Sequence, residues 1–245
     1  MPSSSEHIAV LPVEAVAALN IKHDGLYIDA TFGRGGHSGH ILEKLGDDGR
    51  LMAFDCDAEA VAHAQALFGS DARFSISQRN YSEMAEVLSD VMSDQGGVDG
   101  VLFDLGVSSP QLDTAARGFS FDKSGPLDMR MDPSRGQPVS EWLSGVSAEE
   151  LAEVFRDYGD ERYAKRIARR VVEAVQQNPI TDTVQLAEII KEAHPRWERH
   201  KHPATRCFQA LRIFINRELE HLKICLLYTS PSPRDQRGSR MPSSA

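Results

Sequence analysis

Three aspartates stand where apolar segments end: Asp29 in LYIDATF, Asp55 in RLMAFDCD and Asp104 in VDGVLFDL. The first is followed by a glycine-rich stretch, Asp29-Ala-Thr-Phe-Gly33-Arg-Gly35-Gly36-His37. A glycine-rich turn between a strand and a helix lets the backbone approach a ligand closely. Asp55 lies 22 residues after Gly33, near the spacing at which an acidic side chain meets ribose hydroxyls in βαβ nucleotide sites. The pattern predicts a nucleotide-type cofactor. A dinucleotide fingerprint needs a third glycine or alanine at position 38, where this chain has Ser38. An acidic residue on the first strand suits a ligand that carries an ammonium and a sulfonium and no pyrophosphate. S-adenosylmethionine (SAM) therefore fits better than a nicotinamide or flavin, with a nucleotide-dependent oxidoreductase as the alternative. Read without a ligand, the glycines make a tight turn, and Asp104 caps the turn after its strand.

Four short apolar runs must position these groups. They predict strands over 26–32, 50–57, 73–79 and 98–105, alternating with helices over 38–45, 58–67 and 81–91. Such alternation favours parallel βαβ units and a doubly wound α/β sheet. Residues 107–140, rich in Ser, Pro, Gly and Asp, read as a structured loop. Helices are predicted over 147–158, 160–177, 183–193 and 204–224, as a helical insertion after the fourth strand. Ser147-Ala-Glu-Glu150 fits a capping box, and Leu151, Val154 and Phe155 begin an apolar face at helical spacing. From Cys225 onward, CLLYTSPSPRDQRGSRMPSSA cannot build a packed element and resembles translated sequencing-adapter sequence, so it is set outside the fold.

The composition is that of a globular protein, with 41% apolar and 26% charged residues. No signal peptide and no membrane-spanning run is read, and the three cysteines form no CxxC pair, so a reducing, cytoplasmic setting is expected. A net charge of −9 argues against a general nucleic-acid binder but leaves room for a local basic patch. Arg162, Lys165, Arg166, Arg169 and Arg170 cluster on one predicted helix, and Arg196, Arg199, Lys201 and Arg206 follow. They read either as phosphate contacts or as a solvated face paired with Glu153, Asp157, Asp160 and Glu161. Phe119, Phe121 and Trp197 offer rings for base stacking and, alternatively, for a core. His194, His200 and His202 match no metal-ligand spacing, and no metal is expected.

DATFGRGGHS at 29–38, FDLGVSSPQLD at 103–113, GPLDMRMD at 125–132 and RCFQALRIFINREL at 206–219, with Tyr158-Gly-Asp-Glu-Arg162, together resemble the 16S rRNA cytosine-N4 methyltransferase family, also called MraW or ribosomal small-subunit methyltransferase H. The match runs from about His7 to Lys223. The resemblance implies a Rossmann-like SAM-dependent methyltransferase fold with a helical insertion. It places a SAM-binding domain at 1–110, an RNA-substrate insertion at 111–205, a helix returning to the sheet at 206–224 and a tail at 225–245. It implies SAM contacts at Gly35, Gly36, His37, Asp55, Tyr81, Asp104 and Gln111, with Tyr81 standing where the family usually has Phe. The implied substrate is a cytosine in the decoding centre of 16S rRNA or the small ribosomal subunit. The implied enzyme is cytoplasmic, off the membrane, with a homodimer as one possible assembly.

Cytosine N4 is a poor nucleophile because its lone pair is delocalised into the ring. Alignment and hydrogen-bond acceptors for the amine are the expected aids. Asp104 and Ser108, Ser109 and Pro110 are the candidates, since many amino-methyltransferases place an acidic or small polar residue followed by prolines at this strand end. The target base must be unstacked to react. The family continues beyond the 206–219 helix into further strands, including an ISFHSLEDR-like segment, that are not in this sequence. With four strands and an uncovered apolar face, this polypeptide is expected to be unstable or inactive. A non-catalytic SAM- and RNA-binding protein is then the second reading.

Overall fold

The computed structural model describes residues 11–95, 97–196 and 202–229. They form two compact units, one holding the residues up to Asp104 and those from Leu219 on, the other Leu105–Glu218.

The first unit is a parallel sheet of β1 (Leu26–Asp29), β2 (Arg50–Asp55), β3 (Phe74–Gln78) and β4 (Gly100–Leu102), in the order β3-β2-β1-β4. Alternation sorts the side chains. Tyr27 and its register partner Leu51 face one apolar cluster, while Ile28 and its partner Met52 face another. Helices α1 (Pro12–Ala18) and α2 (Gly36–Leu42) bring Val16, Ile41 and Leu42 to the first face. Ala60 and Ala64 of α3 (Ala58–Phe68) pack near it with Phe32 and Ala53. Met84 and Leu88 of α4 (Met84–Gln95) cover the second. Helices on both faces explain why β1 is buried at all four positions.

The second unit is a helical body: α5 (Ser109–Asp113), α6 (Val139–Gly145), α7 (Ala148–Gly159), α8 (Ala164–Gln177), α9 (Thr183–Ala193) and α10 (Thr205–Ile215). The expected capping box opens α7: Glu150 N–H donates to Ser147 Oγ at 3.2 Å, and Ser147 N–H donates to the Glu150 carboxylate at 3.1 Å. Asp182 caps α9 by accepting from Val184 and Gln185 N–H. The segment read as a structured loop is tied down by its backbone. Leu127 N–H donates to Thr181 O, and Thr183 N–H donates to Gly125 O.

Three expectations need correction. The predicted 204–224 helix is two helices, α10 and α11 (Glu218–Thr229), separated at Asn216 and Arg217. The Asn216 amide donates to Met129 O at 2.8 Å and its carbonyl accepts from Met131 N–H at 2.7 Å, while Arg217 takes φ 49°. Asn216 thus serves the 107–140 segment, and the helix stops. Second, α10 belongs to the helical unit, where Cys207, Phe208, Ala210 and Leu211 lie in the core. It comes close to α7 because residue 159 is glycine, where a Cβ would stand 2.5 Å from Arg206 O. The boundary between units accordingly falls at Leu105, before the expected 110. Third, Cys225 is not in a structureless tail. It lies on α11, 2% exposed, packed with Ile28, Phe54 and Met84. The rest of the expected tail, 230–245, lies outside the described residues, as does the expected start at His7.

Candidate functional site

The strand order reverses between β1 and β4, since β2 and β3 lie to one side of β1 and β4 to the other. In open parallel sheets that switch point leaves a crevice beyond the carboxyl ends of the strands. Asp29, Asp55 and Asp104 all stand there, at the ends of β1 and β2 and just past β4.

Asp29 is fully buried. It accepts from Ser38 Oγ at 2.7 Å and from Thr31 N–H at 3.2 Å. Burial pushes its carboxyl above the ordinary range, against the pull of these two donors. Ser38, which looked in sequence like a departure from a dinucleotide fingerprint, is therefore the partner of a buried carboxylate. Asp55 accepts from Gly33 N–H and Asp57 N–H, each at 2.9 Å. Burial pushes it up to about 6, with the two backbone donors opposing and the Asp57 and Asp29 charges adding to the rise.

The turn between β1 and α2 depends on glycine at one position above all. Gly35 has φ 80°, and a Cβ there would stand 2.7 Å from the Phe32 ring. Gly36 is the first residue of α2. His37 follows, buried, with Nε2 3.5 Å from the Asp104 carboxylate and with no hydrogen-bond partner for Nδ1. Asp104 is held from its backbone: its N–H donates to Thr31 Oγ at 2.7 Å, leaving the carboxylate about half exposed. Thr31 escaped the sequence reading although it ties the β1 loop to the β4 loop. A hydroxyl two residues after a strand-end Asp was the only signal.

Tyr81 opens a single helical turn capped by Asn80, whose side chain accepts from Ser82 N–H at 2.9 Å. Its ring meets Phe103 edge-on at 5.7 Å and His221 at 6.4 Å between centroids. Gly35, Gly36, His37, Asp55, Tyr81 and Asp104 are thus all carried by the sheet unit. Ser108, Ser109, Pro110 and Gln111 belong to the helical unit. There Gln111 Oε1 accepts from Ser108 N–H at 3.0 Å, in a capping box that starts α5. Ser109 and Pro110 occupy the first turn of that helix.

In the helical unit Glu161 is 3% exposed, accepts from Tyr163 N–H at 2.8 Å and lies 3.5 Å from His194 Nε2. Asp157 pairs with Arg156. Phe119 is buried, and Phe121 packs against His202 and Phe208, both rings at 4.7 Å, so these two aromatics are core residues. Trp197, Arg199, His200 and Lys201 lie outside the described residues. Among the described residues no group of three His, Cys, Asp or Glu side chains is placed to hold a metal ion. No described helix is long and apolar enough to cross a membrane.

The sheet-unit arrangement suits a cationic nucleoside ligand: a buried, a half-buried and an exposed carboxyl at the strand ends, a backbone cradle that a Cβ would fill, and an orphaned buried imidazole nitrogen. The model of the MraW methylase family matches residues 4–231. A ribosomal RNA small subunit methyltransferase H of Thioalkalivibrio sulfidiphilus is 57% identical over 220 residues, covering 90% of this chain and 70% of that protein. Proteins of the same name from Nitrosococcus oceani and Alteromonas mediterranea are 54% and 52% identical. Each alignment spans 225 residues, at 91% and 92% of this chain and 70% and 71% of the relatives.

Proposed function

The chain belongs to the MraW methylase family, and from that premise we propose that it is a SAM-dependent ribosomal RNA methyltransferase acting on the N4 amine of a decoding-centre cytosine in the small subunit. The observation that carries the reading is the set of three aspartates on adjacent strand ends at the switch point, two of them pushed above the ordinary carboxylate range by burial. Burying acids without cationic partners costs stability, and a cationic ligand offsets that cost. The names of the relatives support ribosomal RNA as the substrate.

Gly35, Gly36, His37, Asp55, Tyr81 and Asp104 would hold SAM, which when bound supplies a methyl group on a sulfonium. Asp55, pinned by Gly33 and Asp57 N–H, keeps lone pairs for the ribose hydroxyls. Tyr81 offers an apolar ring face. The half-exposed Asp104 carboxylate is the acceptor best suited to orient the cytosine amine and to stabilise positive charge growing on nitrogen. His37 stands 3.5 Å from it and would fix its direction.

Single-turnover methyl transfer to small ribosomal subunits tests these roles. Asp104→Asn is expected to slow transfer by about 10²-fold, in the range for removal of one oriented electrostatic group. A parent-like rate in Asp104→Asn would remove this residue from the chemistry.

A further inference from the structure

We propose that the outer stripe formed by Arg162, Lys165, Arg166 and Arg169 is a docking surface for the phosphate backbone of ribosomal RNA. The inference rests on the RNA-substrate reading above and adds the surface that would grip that substrate.

The helix α8 buries Ala164, Ile167, Ala168 and Val171 against the helical core. The opposite side carries the cations. At 100° per residue, Lys165, Arg166 and Arg169 fall within an arc of about 100°, over about 6 Å of helix axis. Arg162 extends the stripe from the preceding turn, where its guanidinium lies 5.9 Å from the centroid of the Tyr163 ring. Tyr163 in turn packs edge-on against His194, so this end is anchored. All four cationic residues are exposed.

Several other cations of the same unit are neutralised by acids. Elsewhere in the same unit Arg130 pairs with Asp128, Arg156 with Asp157, Lys191 with Glu188 and Arg212 with Glu218. Arg170, on the flank of α8, lies 3.9 Å from Glu192. Arg162, Lys165, Arg166 and Arg169 make no ion pair among the described residues, in a chain with a net charge of −9. The acids that sequence offered as their partners are engaged elsewhere in two cases, Asp157 with Arg156 and Glu161 with His194. Glu173, exposed two turns on, limits the positive stripe to the first half of α8. A concentrated, unneutralised run of arginine and lysine on an acidic protein is the footprint of a phosphate partner.

The test compares the parent, the quadruple variant R162Q/K165Q/R166Q/R169Q and the control R156Q/K191Q, which removes cations already paired. Binding to unmodified small-subunit ribosomal RNA is measured against salt, with SAM calorimetry and thermal unfolding to show that each variant is folded. Four lost phosphate contacts should flatten the log–log salt slope by about 3 and weaken binding by about tenfold or more. SAM affinity should stay at the parent's value, and the effect on transfer should fall on KM. Parent-like affinity and slope in the quadruple variant would overturn the proposal, as would an equal loss in the control. Equal binding of the stripe to poly-glutamate of matched charge would overturn it in favour of an acidic protein partner. RNA binding that depends on the stripe, in a parent that transfers no methyl group, would uphold the docking surface while removing the enzymatic reading.

Discussion

Replacing Asp55 by Asn separates what this residue does for the ligand from what it does to the fold. The Asp55 carboxyl is pushed by burial from 3.8 to about 6. A carboxyl with a raised folded-state value binds its proton more tightly in the folded protein than in the unfolded one. Its charge therefore destabilises the fold. The penalty is absent below about pH 4, grows between the two values and is complete above about pH 6. A difference of about 2 units at 1.36 kcal/mol per unit makes it about 3 kcal/mol. Asp55→Asn removes that penalty. It also leaves one of the two donors, Gly33 or Asp57 N–H, without its acceptor, at about 1–3 kcal/mol. The two effects nearly offset, so the variant should lie within about 2 kcal/mol of the parent at pH 7.5. The pH dependence does not offset: without ligand, the parent should lose about 2 kcal/mol relative to the variant between pH 4 and pH 6.5. SAM affinity should fall by about tenfold or more, through loss of a charged acceptor for the ribose. Urea unfolding across that pH range and calorimetry with SAM read both quantities. Parallel stability curves, or unchanged SAM affinity, would refute the reasoning.

Ser38→Ala should destabilise the fold by about 1–3 kcal/mol, because the buried Asp29 carboxyl loses its hydroxyl donor at 2.7 Å. The loss should be smaller at lower pH, since the Ser38 hydroxyl favours the ionised form of Asp29, and thermal unfolding at two pH values checks it. Gly35→Ala forces φ 80° on a residue with a Cβ, costing about 1–2 kcal/mol before the clash with Phe32 is relieved. SAM calorimetry should show weaker binding, and parent-like binding would mean that the turn does not touch the ligand. Ser147→Ala removes the α7 cap and should cost about 0.5–2 kcal/mol in urea unfolding, with SAM affinity unchanged.

The strands could be read because their burial is local in sequence. Runs such as LYID and RLMAFD are buried on both faces, and the aspartates that end them are visible as punctuation. The Ser147–Glu150 cap was legible for the same reason. What escaped depends on partners far along the chain. Glu161 looked like a solvated acid in Gly-Asp-Glu-Arg, yet it is buried beside His194, which no periodicity announces. The break between α10 and α11 is set by hydrogen bonds from Asn216 to Met129 and Met131, more than eighty residues earlier. The apolar spacing of the segment alone gives one continuous helix. Gln111 shows the converse: Ser108-Ser-Pro-Gln111 has the spacing of a capping box, and the structure forms one. At the site, the sequence supplied the residues, and the strand order supplied what it lacked, a single switch point at which three of them stand together.

The most direct test of the central claim is methyl transfer from labelled SAM to small ribosomal subunits that lack the modification, with the modified nucleoside identified after digestion. Label should appear on cytosine N4 in the decoding centre, with transfer at limiting SAM reduced by about tenfold or more in Asp55→Asn. SAM binding without transfer to any ribosomal RNA, or label on a different atom, would contradict it.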